Sequence, residues 1–305
     1  MSGALMLPAA SSAAGRFDLL LLALLVLCGL MALALLVLVF SIRYRAGSPA
    51  DRSGANRQHR ALEYTWTLVP LALFMCIYAW AAYDYAQLFR VAPEAMPVFV
   101  VAKQWMWKLE HQNGRREIAQ LHVPLGKPVR LVMTSQDVIH SFFVPAFRIK
   151  QDVLPGRYTM LSFTPTQAGR FHLFCAEYCG TEHSLMRGEI IVLPPAQFAE
   201  WLAQGAATPG IAARGFELYR RYGCSGCHEP GSSVHAPDLH GLLGRTVHLQ
   251  DGRTLIADEN YVRDSILLPD KDIVAGFKPI MPSFAGQISE EDIMAIIAYL
   301  REQQP

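Results

Sequence analysis

From Leu19 to Phe40 the chain has 22 residues with no charge and no strongly polar group. As a helix rising 1.5 Å per residue, such a run spans roughly 33 Å, enough to cross the hydrocarbon core of a bilayer. A second run, Thr65 to Tyr83, stops before Asp84 and carries Trp66, Tyr78, Trp80 and Tyr83 near its ends, where an interfacial aromatic belt belongs. Pro70 falls in the first turns of this run, where a proline costs little. The first run lacks a basic n-region and is too long for the apolar core of a leader, so it reads as a span rather than a cleaved signal. Cys28 follows Leu27, too bulky for a lipoprotein cleavage site, so Cys28 and Cys76 read as small apolar residues within spans. With 52% hydrophobic and 17% charged residues, the chain has too much to bury to be disordered. Its 22 glycines and 6 cysteines in 305 residues exclude collagen-like and disulfide-scaffold classes. A net charge of +1 gives no sign of a nucleic-acid partner.

Between the two runs stand Arg43, Arg45, Arg52, Arg57 and Arg60 against Asp51. The positive-inside rule makes this loop cytoplasmic, with both termini and everything after about residue 90 on the outer face. Glu63 begins the second span. On position alone it reads as an interfacial acid reaching headgroup water, and the alternative is the start of a proton relay.

Residues 97–193 read as short strands punctuated by Gly and Pro. The candidates are 97–102, 104–109, 128–133, 157–163, 169–174 and 188–193, broken by Pro124, Gly126, Pro155-Gly156 and Gly169. Many short strands with turn signals predict an antiparallel β-sandwich or barrel. Inside it lies Cys175-Ala176-Glu177-Tyr178-Cys179-Gly180-Thr181-Glu182-His183-Ser184-Leu185-Met186, with His140 35 residues upstream of Cys175. Outside the cytoplasm two nearby cysteines could form a disulfide. Zinc has little use for a thioether. Soft sulfur with imidazole favours copper, and the second thiolate allows a second copper with both sulfurs bridging. His111, His122 and His172 read as surface or hydrogen-bonded residues.

This cluster, with Ser135-Gln136-Asp137-Val138-Ile139-His140-Ser141-Phe142 upstream, resembles subunit II of the haem–copper cytochrome c oxidases over roughly residues 15–195. The resemblance implies two transmembrane helices followed by a cupredoxin-like barrel with a binuclear copper centre, CuA. It implies copper ligation by His140, Cys175, Cys179, His183 and Met186, with Glu177 giving its backbone carbonyl to copper and its carboxylate to a magnesium at the interface with subunit I. Glu63, within Glu63-Tyr64-Thr65-Trp66-Thr67-Leu68-Val69-Pro70, would then open a proton pathway into subunit I. Trp105 aligns with the aromatic residue through which electrons enter. By composition alone, Trp105 and Trp107 on one strand face are packing residues. The aromatic run of the family does not continue here, since Leu109 and His111 occupy its later positions.

After Pro194-Pro195 come a short helical stretch and a small-residue linker at 204–210. An amphipathic segment then leads into Cys224-Ser225-Gly226-Cys227-His228, the attachment signal for c-type haem. A thioredoxin-type dithiol would expect a βαβ context, which is absent. Among later methionines, Met294 lies in the periodic helix 291–300 and reads as core. Met281, in the loop segment Met281-Pro282-Ser283-Phe284, is preferred over His235, His240 and His248 as sixth iron ligand. His/Met ligation raises a haem potential, as a carrier feeding copper requires. The layout resembles a class I cytochrome c domain, in which Pro237 would offer its carbonyl to orient His228.

The predicted organisation is a multidomain membrane protein: a two-span transmembrane hairpin (1–90), an all-β cupredoxin-like CuA domain (91–200) and an all-α cytochrome c domain (201–305). Their formal charges are +3, +2 and −4. The acidic haem domain would attract a basic donor and could dock on the basic copper domain. The resemblance implies the electron-transfer subunit of an aa-type, proton-translocating oxidase in a bacterial plasma membrane, with the soluble domains periplasmic. Electrons would pass from a soluble or membrane cytochrome c through haem c and CuA to subunit I, where dioxygen is reduced. Partners would be subunit I and other oxidase subunits, with no nucleic acid. The alternatives are the CuA subunit of a nitric oxide reductase and a membrane-tethered copper-delivery protein. A quinol oxidase subunit is disfavoured by the intact copper ligands.

Overall fold

The computed structural model of the chain describes residues 8–44, 55–88, 90, 92–205 and 209–303, with backbone alone at 42–44 and 55–59. Arg45, Asp51 and Arg52 of the basic loop, and the side chains of Arg43 and Arg57, lie outside the described residues.

Helices α1 (Ala14–Tyr44) and α2 (Ala55–Leu88) contain the two apolar runs. Leu, Ala and Met favour the helix, and α1 is apolar on every side. Leu35, Phe40, Trp66 and Tyr78 are exposed, a surface that hydrocarbon rather than water would cover. Pro70 does not lie in the first turns. The polar helix formers from Ala55 onward extend α2 ahead of the apolar run, so the proline stands well inside it. There it removes one backbone hydrogen bond, a defect that membrane helices tolerate. Ahead of α1, residues 10–12 strap onto the β-domain. Ala10 N–H donates to Ala146 O at 2.8 Å and Ser12 N–H to Thr164 O at 3.0 Å. Arg148 grips Asp18 with N–H···O distances of 2.8 and 3.0 Å. Helix α2 touches the strand Thr159–Phe163 of the same domain, so both helices of the hairpin meet it.

That domain stacks two five-stranded sheets. One runs β3 (Arg116–Ile118), β2 (Met106–His111), β1 (Met96–Lys103), β5 (Val129–Ser135), β8 (Thr159–Phe163). The other runs β4 (Gln120–Pro124), β10 (Arg187–Leu193), β9 (Gly169–Cys175), β6 (His140–Val144), β7 (Ile149–Val153). The pairings β1–β5 and β4–β10 are parallel, where the sequence predicts an antiparallel sandwich. Crossovers between the sheets return the chain beside an earlier strand in the same direction. Trp105 precedes β2 in a turn, so it does not share a strand face with Trp107. The core between the sheets holds Val98, Val100, Trp107, Leu131, Phe142 and Ile190. Strand β1 departs from simple alternation, because its outward Phe99 and Val101 are buried too.

Helix α3 (Pro195–Gln204), with Pro195 at its first position, leaves the second sheet. The last domain packs α4 (Ile211–Arg221) across α7 (Glu290–Glu302), with α5 (Ser225–His228) and α6 (Glu259–Leu267) between them in sequence. The crossing is so close that a Cβ at Gly215 would lie 1.9 Å from Ala295 O. Ser289 caps α7, and Glu290, Glu291 and Asp292 complement its N-terminal dipole. A small hairpin, β11 (Thr246–His248) and β12 (Thr254–Ile256), interrupts the expected all-α fold.

Candidate metal and haem centres

The end of β9, the start of β6 and the loop leading into β10 converge on one sulfur-rich cluster. Cys175 closes β9 and His140 opens β6. Cys179, His183 and Met186 follow on the loop, where a short 3₁₀ turn at His183–Leu185 brings the chain back. The two Sγ atoms are 3.8 Å apart, far beyond a disulfide bond, and both thiols are free. His140 Nδ1 stands 3.9 Å from Cys175 Sγ, and His183 Nδ1 stands 3.4 Å from Cys179 Sγ. Met186 Sδ lies 3.8 Å from Cys179 Sγ, and the Glu177 carbonyl accepts from Cys175 at 3.2 Å. Each thiol thus has one imidazole and one weak donor beside it. This symmetry, two thiols each with an imidazole and a weak donor, fits a donor set for soft metal ions.

The electrostatics divide the two thiols. Burial opposes ionisation of Cys175, but hydrogen bonding with His140 and with the backbone outweighs it and brings the thiol down to about 6. Cys179 is pushed up to about 12, by burial and then by the charge of Cys175. Without a cation the site holds one negative charge readily and a second one only at cost, and a metal would supply the missing compensation.

One contributor was not assigned a role from sequence. Asp137 accepts from His140 Nε2 at 2.8 Å, which turns Nδ1 towards Cys175. It also accepts from Gln104 N–H at 2.7 Å. Gln104 Nε2 donates to Cys179 O at 2.8 Å, tying the turn that carries Trp105 to the metal loop. A Cβ on Gly180 would come within 3.4 Å of the Trp105 ring. The partly exposed indole of Trp105 therefore rests on the loop, whereas Trp107 is fully buried with its ring centroid 6.1 Å from that of His140.

His111 and His122 take the hydrogen-bonded alternative of the sequence reading. His111 is 1% exposed, and both imidazoles bond the carboxylate of buried Glu117. His172 is exposed. Glu63 is exposed on α2, and the Glu177 side chain projects outward.

In the last domain a cavity of about 610 Å³ is lined by Cys224, Cys227, His228 and Met281 together with Leu242, Val262, Ile266, Ile296 and Leu300. His228 donates Nδ1–H to Pro237 O at 2.8 Å, which orients the ring and leaves Nε2 as the nitrogen available to a ligand. Met281 sits on a loop at the cavity, while Met294 is buried in α7. The apolar lining, two thiols and one oriented imidazole fit a covalently held haem.

Comparison with known proteins matches the two soluble domains to two families. Residues 114–193 match the family described as the cytochrome c oxidase subunit II periplasmic domain, and residues 212–304 match cytochrome c. A cytochrome c oxidase subunit 2 from Alkalihalophilus pseudofirmus is 28% identical, over 90% of this chain and 84% of its own. An alternative cytochrome c oxidase subunit 2 from Bradyrhizobium diazoefficiens is 30% identical, over 45% of this chain and 60% of its own length. One from Thermostichus vulcanus is 40% identical over 38% of this chain and 35% of its own. The crystal structure of the periplasmic domain of a Bradyrhizobium japonicum cytochrome oxidase subunit II is 28% identical, covering 38% of this chain and 96% of that one with a TM-score of 0.37. Behind its two apolar helices, the chain joins a domain of the cytochrome c oxidase subunit II family to a domain of the cytochrome c family.

Proposed function

We propose that the chain is the electron-transfer subunit of an aa-type cytochrome c oxidase that hands electrons to haem in subunit I. The observation that carries this reading is the pairing of two free thiols 3.8 Å apart with one imidazole each, in the same chain as a cavity lined by Cys224, Cys227, His228 and Met281. His140, Cys175, Cys179, His183, Met186 and the Glu177 carbonyl would hold a binuclear copper centre. Cys224 and Cys227 would attach haem c, with His228 and Met281 holding its iron. Bound there, the copper pair and the haem supply reversible one-electron storage at potentials that sulfur, imidazole and thioether ligation set. The chain's own part is orientation. Asp137 turns His140, the Pro237 carbonyl turns His228, and the sheets exclude water from the thiols.

Trp105, resting on the Cys179–Gly180 loop and partly exposed, is the proposed acceptor side for electrons from a soluble or membrane cytochrome c. Glu63, exposed on α2, is the proposed mouth of a proton pathway in subunit I, and the Glu177 carboxylate the proposed magnesium ligand at that interface. Both hairpin helices meeting the β-domain supports a two-span anchor with the soluble domains on the periplasmic face of a bacterial membrane. A copper-delivery role fits less well, since it has no use for the His183–Met186 extension or the haem cavity. The complex purified with its partner subunits should consume dioxygen when given reduced cytochrome c. Nitric oxide consumption in its place would assign the complex to the nitric oxide reductases.

A further inference from the structure

Strand β1 is buried on both faces. Val98, Val100 and Ala102 enter the copper-domain core, while Phe99 and Val101, with Val132 of β5 and Tyr158, are 3–5% exposed and belong to the apolar cluster of the haem domain. A solvated antiparallel sheet would place polar residues there. Polar contacts surround this patch. Tyr158 N–H donates to Asn260 Oδ1 at 2.7 Å, and Arg263 donates to Gly156 O at 2.6 Å. Arg130 pairs with Glu259, and Arg214 grips Glu110 at 2.6 and 3.1 Å. Glu291 accepts from Lys108 at 3.1 Å and from Gln136 at 2.8 and 2.7 Å. The linker helix is seated as well, with Trp201 stacked on His122 and the Arg115 guanidinium 3.7 Å above its ring.

Two features connect this interface to the centres. Helices α6 and α7 present Asn260, Arg263 and Glu291 to the copper domain, yet Val262, Ile266, Ile296 and Leu300 of the same helices line the haem cavity. One helix layer, about 10 Å thick, separates cavity from sheet. Gln136 is followed directly by Asp137, the residue that orients His140.

We propose that the haem domain is docked, not merely tethered, on the outer face of the β1–β5–β8 sheet. Glu291, with Lys108 and Gln136, is a positioning residue that seats the haem cavity beside the turn after β5, whose Asp137 orients His140. The inference rests on the haem and copper reading above. The seat serves one electron leaving reduced haem iron and reducing the oxidised copper pair by one, with no bond or proton exchanged.

The test uses the full chain with its cofactors. Hydroxyl-radical footprinting should find Phe99 and Tyr158 protected, against rapid labelling of exposed Tyr178. Val101→Asp, harmless on a solvated strand face, should expose Phe99 and Tyr158 and slow photochemically triggered haem-to-copper transfer by roughly a hundredfold. Lys108→Glu and Glu291→Lys should each slow transfer while both absorption signatures persist, and the double swap should restore it. The swap decides the matter if Val101→Asp does not fold. Labelling of Phe99 and Tyr158 in the unaltered protein, or charge variants and a swap that leave the rate unmoved, overturns the inference while intact copper and haem spectra leave the functional reading standing. Protected side chains with no copper signature would sink the reading and leave the docking.

Discussion

The two centres are built on opposite principles. At the copper site each candidate ligand side chain already lies 3.4–3.9 Å from another, on two strand ends and one loop of a domain whose core packs without the metal. At the haem site the ligating residues surround a cavity of about 610 Å³, and the domain's helices pack around that space. Copper would thus be an addition to a finished fold, whereas haem would be part of the core. Without the group that fills it, the apolar lining loses the packing contacts that hold the helices together.

The largest expected effect follows from this difference. Cys224→Ser with Cys227→Ser should leave the haem domain open to proteolysis while the β-domain keeps its fold and its copper absorption. Chelating copper should leave both domains resistant. A protease-resistant haem-free domain would break the comparison.

A smaller effect tests how the copper ligands are held. Asp137→Asn weakens the hydrogen bond that orients His140, and should lower copper affinity roughly 10–100-fold without altering the haem spectrum. Equilibrium titration with a copper chelator reads this directly, and unchanged affinity would mean the strand alone orients the imidazole.

The smallest effect concerns the β-domain alone. Burial works against ionised Glu117, but hydrogen bonds from His111 and His122 outweigh it and hold its carboxyl below the ordinary 4.5. A carboxyl with a depressed folded value stabilises fully above its unfolded value, and the contribution is lost as pH falls through the folded one. The unfolding temperature of the β-domain should therefore drop as pH falls below about 4.5. Glu117→Gln should flatten that drop.

The centres were legible in the sequence because their chemistry fixes spacing. Cysteines four apart with His183 and Met186, and C-x-x-C-H at residues 224–228, keep their meaning whatever the strands around them do. The features missed depend on tertiary partners. Strand β7 mixes Lys150, Gln151 and Asp152 between Ile149 and Val153, so its apolar pattern is too thin to read alone. The unbroken run from Val98 to Ala102 was a visible sign of two covered faces, but it meant little without the haem domain in place. The β11–β12 hairpin had its signal in Asp251-Gly252, hidden by the expectation of an all-helical domain. Asp137 showed its role only once the turn after β5 brought it back onto His140.

Metal analysis with the absorption spectrum of the purified protein, in the unaltered chain and in Met186→Leu, tests whether one chain holds a copper pair and a covalent haem on separate domains. Two tightly held coppers per haem iron are expected, with a near-infrared copper band beside a c-type haem band and a Met186→Leu spectrum changed only in the copper region. A single exchangeable copper, or copper absorption indifferent to Met186, would contradict that arrangement.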